Sequence, residues 1–220
     1  MGILLWLVIT AGISVWNAYA VGRLWPEVKQ MDFLTRATVV SGMVMSAIGF
    51  IWLFMIAEAT ILHAISPIYG TNEETGLREV IFDFNEKWMK LTFQLGYVAT
   101  ALPLLGSGLC IWAHSLVVAW RERTLVSGGI AAYNTWAQIH NTISVATHMP
   151  GFIGKIGEAI FKDLNKDKLM LIVVLLLTLT SIIGGTAVMW WIVASVAKKR
   201  ETEMREEALA YAHTHEEKHN

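Results

Sequence analysis

Apolar residues fall along this chain in long unbroken blocks rather than in the alternation of a strand or the narrow stripe of a soluble helix. A helix needs about 20 residues to cross a hydrocarbon core of roughly 30 Å. Blocks 2–21, 91–120 and 169–197 meet that length without a charge, and 37–65 meets it with one, Glu58. A fifth block, 124–154, also lacks Asp, Glu, Lys and Arg, yet it is dense in amides, histidines and hydroxyls. Backbone groups in lipid need partners within their own segment, so every block is expected to be helical. The pattern predicts an all-α integral membrane bundle of five spans, at about 2–21, 37–65, 91–120, 128–153 and 169–197. Four spans is the alternative, with the polar block as an interfacial or re-entrant helix. Residues 1–200 then form the membrane domain, and 201–220 a charged tail that extends the last helix.

The polar block has internal order. Positions i, i+4, i+7, i+11 and i+14 share a helix face. From Asn134 they give Gln138, Asn141, Val145 and His148. The stripe one residue back gives Tyr133, Ala137, His140, Ser144 and Thr147. The two stripes adjoin, so Asn134, Gln138, His140, Asn141 and His148 are expected in one polar sector. Facing lipid, each unpaired amide would cost several kcal/mol. The sector must therefore face other helices, an aqueous path or a bound group. Glycine and serine at 41, 42, 46 and 49, at 106 and 108, and at 184 and 185 are expected where helices approach closely.

Composition agrees with a membrane chain: 55% of its residues are hydrophobic. A net charge of −1 gives no footprint for nucleic acid. The single cysteine, Cys110, excludes an internal disulfide and reads as a small hydrophobe. Ala18-Tyr19-Ala20 looks like a signal-peptidase site, but no positive charge precedes the first block, which is read as a retained span. With five spans and the N-terminus outside, ten Lys and Arg fall inside and seven outside. With four spans the split is nine to eight. The positive-inside tendency thus favours five spans and a cytoplasmic C-terminus. Between the second and third blocks, 76–87 places Leu77, Val80, Ile81 and Phe84 at helical spacing and predicts a short surface helix. Trp25, Trp88, Trp120, Trp190 and Trp191 fall near span ends, as an aromatic belt would.

Candidate chemistry is sparse. No nucleophile–base pair, phosphate-binding loop or metal-ligand spacing occurs. Glu58, the one carboxylate within a span, must be protonated, paired or in contact with water. His63, His114, His140 and His148 lie in apolar segments, and histidine is the usual axial ligand of b-type haem. Five spans put His63 and His148 near outer ends, which makes them the best candidate ligand pair. His114 and His140 are mismatched in depth, and His213, His215 and His219 fall in the solvated tail. The stretch GSGLCIWAHS at 106–115, with Glu58 in the preceding helix, resembles the Trp-Ala-His helix of haem–copper oxidase subunit III. The resemblance covers those two short pieces. That family's later His-rich and Trp-rich helices have no counterpart, so no membership follows.

The expected function is that of a non-enzymatic integral membrane subunit of a larger assembly, or of a homo-oligomer. Its polar fourth helix would hold neighbouring helices or line a shared path. The alternatives are an electron-transfer subunit holding b-type haem through His63 and His148, and a small channel or transporter.

Overall fold

The computed structural model describes residues 2–163 and 167–216. Lys166 and His219 lie outside them, as do the side chains of His213 and His215. Five long helices dominate: α1 (Gly2–Leu24), α2 (Phe33–Ile65), α3 (Glu86–Glu122), α4 (Leu125–Asp163) and α5 (Lys168–Glu216). A 3-10 segment, Trp25–Gln30, joins α1 to α2. The charged tail continues α5 with no break as far as Glu216, as its strong helix formers predict.

Local signals explain the helix ends. Asp32 caps α2, its carboxylate accepting from the backbone N–H groups of Leu34 and Thr35 at 3.0 and 3.1 Å. The Thr35 hydroxyl, followed by the Thr35 backbone N–H, holds the Asp32 carboxyl below its ordinary range. Asn85 caps α3 by accepting from the Lys87 N–H. Arg123 ends α3 in the left-handed region, φ 52°, and its N–H returns to the Ala119 carbonyl.

One expected helix is a hairpin instead. Residues 78–82 form strand β2 (Arg78–Phe82), paired antiparallel with β1 (Ile68–Thr71). The turn explains the difference. The Asn72 side chain accepts from the N–H groups of Glu74 and Thr75, and Gly76 takes φ +66°. These turn residues close a hairpin, and the β-branched Val80 and Ile81 suit its strand. A lone hairpin is marginal in water, and this one is tied down at its base. Phe84, fully buried, packs against Trp88, Leu91, Met170, Leu171 and Val174. Trp88 is therefore a core residue rather than part of an aromatic belt. Trp120 and Trp191 stay exposed.

The helices alternate in direction, and α2 is central, packing on α1, α3 and α5. A second apolar cluster at the opposite end gathers Ala18, Val21, Val39, Phe50, Met189 and Val193. Between the clusters the contacts are small and polar. The Ser46 hydroxyl donates to the Ser14 carbonyl at 2.7 Å, and Gly185 lies against the Ile51 backbone. Glycine and serine at the crossings let backbones approach closely, as expected where lipid offers no hydrophobic drive for association.

Four of the five helices, α1, α2, α3 and α5, are long and apolar enough to cross a membrane. The expected fifth, α4, reaches 39 residues, but its amides and histidines keep it out of that set. It runs antiparallel along α3, with contacts from Trp112–Thr135 through Leu105–Gln138 to Tyr97–Ser144.

Candidate functional site: the polar seam and the groove beside it

The predicted sector on α4 divides in two. Its buried edge is the sequence Ser127, Ala131, Gln138 and Val145, flanked by the half-buried Asn134, Asn141 and Ser144. This is the i, i+4, i+7 stripe that starts at Asn134, and it faces α3. The neighbouring stripe is largely exposed: Tyr133, His140 and Thr147 point away from the bundle. His140 stacks on Trp136, with 5.5 Å between ring centres.

Gln138 is the centre of the seam. Its Nε2 reaches the Leu105 carbonyl at 3.5 Å, while its buried Oε1 has no hydrogen-bond partner. The amide fits only because residue 108 is glycine, since a Cβ there would collide with Oε1. On either side, the Trp112 indole donates to the Thr135 hydroxyl at 2.9 Å, and Tyr97 meets Ser144 at 3.3 Å. Asn134 and Asn141 make no side-chain hydrogen bond among the described residues, and both reach the surface at the seam's edges.

Glu58 sits half-buried where α2 meets α5. Its Oε2 is 2.9 Å from the Thr180 hydroxyl and 3.2 Å from that of Ser181. The carboxyl group is thus held by hydroxyls, with no cation paired to it among the described residues. Nothing in the sequence within α2 signalled this partnership, because both hydroxyls lie over 120 positions away.

The expected haem ligands are not brought together. His63 Nδ1 donates to the Phe84 carbonyl at 2.9 Å, and His148 Nδ1 to the Ser144 carbonyl at 2.8 Å, since a carbonyl can only accept. Either Nε2 has a ligand's free lone pair. Met55 lies against Gly96, so antiparallel packing puts His63 level with Trp88. His148 is level with Tyr97, which touches both Ser144 and Phe152. Nine residues of α3 separate those levels, roughly 13 Å. His114 has a buried Nδ1 with no partner, on the half of α3 beyond Pro103. No cluster of three or more His, Cys, Asp or Glu able to hold a metal occurs among the described residues.

A second feature was not visible in the sequence. Where α2, α3 and α4 meet at the hairpin end, a groove of about 430 Å³ opens. Trp52, Phe93, Tyr97 and Phe152 form its walls, and His148 lies at its edge. Tyr97 and Phe152 meet edge to face at 5.2 Å, and Trp52 and Phe93 lie 6.3 Å apart. Its residues come from three helices, so no single-helix periodicity reveals it.

No protein-family model, curated protein or solved structure matches this chain.

Proposed function

We propose that this chain is a non-enzymatic integral membrane subunit that crosses the bilayer five times and joins a larger assembly through the outer face of α4. One observation carries the proposal: α4 presents His140 outward at the depth where its partner α3 runs Ala101-Leu102-Pro103-Leu104-Leu105, and Thr147 outward nearer the end of that span. His140 and Thr147 are exposed. Pro150 has no N–H, so the carbonyl of Ala146, an exposed position, lacks its usual helical donor. Lipid would satisfy none of these groups, whereas a polar helix of a partner would. The buried stripe, by contrast, is occupied with α3 through Gln138, which supports a packing role for that residue rather than a water-filled path. The alternation of helix ends supports an N-terminus outside and a C-terminus in the cytoplasm, together with the positive charges of Lys198, Lys199 and Arg200.

The test is a double variant, His140→Leu with Thr147→Val, purified in mild detergent. Both side chains point outward, so the bundle itself should unfold at an unchanged temperature. The native complex should shrink to a smaller species. A complex of unchanged size would overturn the proposal.

A further inference from the structure

We propose that Glu58, Thr180 and Ser181 form a binding site for one monovalent cation, a proton or a sodium ion, at the lipid-facing edge of the α2–α5 contact. The inference rests on the membrane reading above and concerns a different face of the molecule. Glu58 stands seven residues before the end of α2, roughly 10 Å in from the hairpin end. Thr180 is exposed, as are Ile61 beside Glu58 and Leu176 and Ile183 on the turns flanking Thr180. Ser181 is fully buried, and its hydroxyl donates to Glu58 Oε2 at 3.2 Å. Glu58 Oε1 makes no hydrogen bond among the described residues.

A count of hydrogens points to the ligand. Thr180 Oγ1 lies 2.9 Å from Glu58 Oε2, 2.9 Å from the Leu176 carbonyl and 3.1 Å from that of Leu177. A hydroxyl owns one hydrogen. Within helices it commonly returns to the carbonyl four residues back, as it does here from Thr92, Thr100, Thr135 and Thr142. With the Thr180 hydrogen on the Leu176 carbonyl, Thr180 Oγ1 and Glu58 Oε2 face each other as two acceptors. One positive species between them resolves that contact.

A count of charges agrees. Three helices pack on α2, and none brings a counter-charge to Glu58. Stretches 2–21 of α1, 91–120 of α3 and 169–197 of α5 contain no Asp, Glu, Lys or Arg. On α3, Lys90 turns to Glu86 at 3.1 Å on the side facing α4, and Tyr97 turns to Ser144. Cys110 and His114 lie beyond Pro103, and Tyr19 lies near the opposite end of α1. Lys168 stands twelve residues before Thr180, roughly 18 Å along α5. On α2 itself, His63 is engaged with the Phe84 carbonyl. An uncompensated charge in a span is expensive, so the ligand has to bring the opposite sign. One carboxylate among neutral hydroxyls balances a single positive charge. A divalent ion would leave a net charge in the membrane and calls for more oxygen ligands than these three side chains supply.

The test labels the full chain in detergent with dicyclohexylcarbodiimide, in choline chloride and in sodium chloride of equal ionic strength. This apolar reagent reads whether the carboxyl holds a proton. The acid O–H adds across one C=N bond: its proton goes to nitrogen and its oxygen bonds the central carbon. The acyl group then migrates to nitrogen, giving a stable N-acylurea. Nothing leaves, so the labelled peptide gains the mass of one reagent molecule. The adduct should map to Glu58 and be absent from Glu58→Gln, whose amide can donate to Thr180 in place of the acid and preserve the fold. Equal labelling in both salts identifies the cation as a proton, and labelling suppressed by sodium identifies it as sodium. In choline chloride, Thr180→Val should slow labelling about two- to tenfold, because it removes the oxygen that accepts the proton. Thr180→Ser keeps that oxygen and should label at the parent rate.

A Thr180 that merely donates to a carboxylate predicts the opposite sign, since its loss would favour the acid form and speed labelling. Faster labelling of Thr180→Val, or a Glu58 unlabelled in both salts, would each overturn the site. Recovery of the chain in the soluble fraction without detergent would instead overturn the membrane reading itself. A membrane-integrated chain whose Glu58 stays unlabelled would remove this site alone.

Discussion

Gly185 shows how little room the centre of this bundle leaves. A Cβ there would stand 2.7 Å from the Ile51 Cα and closer still to the Ile51 nitrogen, both of them backbone atoms that no rotamer change can move. Gly106, on α3, has open space in the same position. The two therefore make a matched pair. Gly185→Ala should lower the stability of the detergent-solubilised protein by about 1–3 kcal/mol through overpacking. It should also move Thr180 and Ser181 away from Glu58. Gly106→Ala should be neutral or stabilising by up to about 1 kcal/mol, because alanine is the better helix former. Equal losses for both, read from thermal unfolding, would show that the α2–α5 crossing is not the tight point.

At the scale of the element, α4 depends on α3 for its burial. Gln138 fills the hollow above Gly108, yet it leaves one buried acceptor without a partner. An unmatched buried polar atom costs about 1–3 kcal/mol, and replacing it with an apolar group of the same shape can be neutral or stabilising. Methionine has glutamine's length and no branch. Gln138→Met should therefore keep α4 docked with equal or higher stability. Gln138→Ala should cost about 2–4 kcal/mol by opening a cavity, judged from similar large-to-small core changes. Destabilisation by methionine as large as that by alanine would show that the amide has a polar partner in the assembled protein.

At the scale of the whole molecule, the ends sort into two groups. The loop at 25–32 and the turn after α3 share an end, where Arg121 lies close enough to act on the Asp32 carboxyl. The start of the tail is there too, with Arg23 paired to Glu203 at 2.6 Å. The hairpin base and the start of α5 share the other end, lining one hollow from Val80 to Met170. Cysteines introduced in a Cys110→Ser background should report this division. An impermeant thiol reagent added outside should modify Asn72→Cys and Lys162→Cys, and spare Thr202→Cys. Labelling of Thr202→Cys alone would invert the orientation. Labelling of Asn72→Cys without Lys162→Cys would mean that α4 does not cross.

The positions of the long helices were legible from residue pattern alone, because four of the blocks are continuously apolar over a helix's length and the fifth has helical periodicity, although α4 runs to Asp163, ten residues past its expected end. The polar stripe of α4 was legible for the same reason: helical periodicity alone places Asn134, Gln138 and Asn141 on one face. The hairpin was missed because Leu77, Val80, Ile81 and Phe84 have helical spacing, and the turn chemistry of Asn72 and Gly76 outweighed it. What tertiary structure alone decided is which faces meet. Glu58 finds hydroxyls on α5, His63 and His148 settle at different depths, and three helices enclose one aromatic groove. Those outcomes depend on the register between helices, which glycine-sized contacts at Gly96, Gly108 and Gly185 set, and no single segment carries that information.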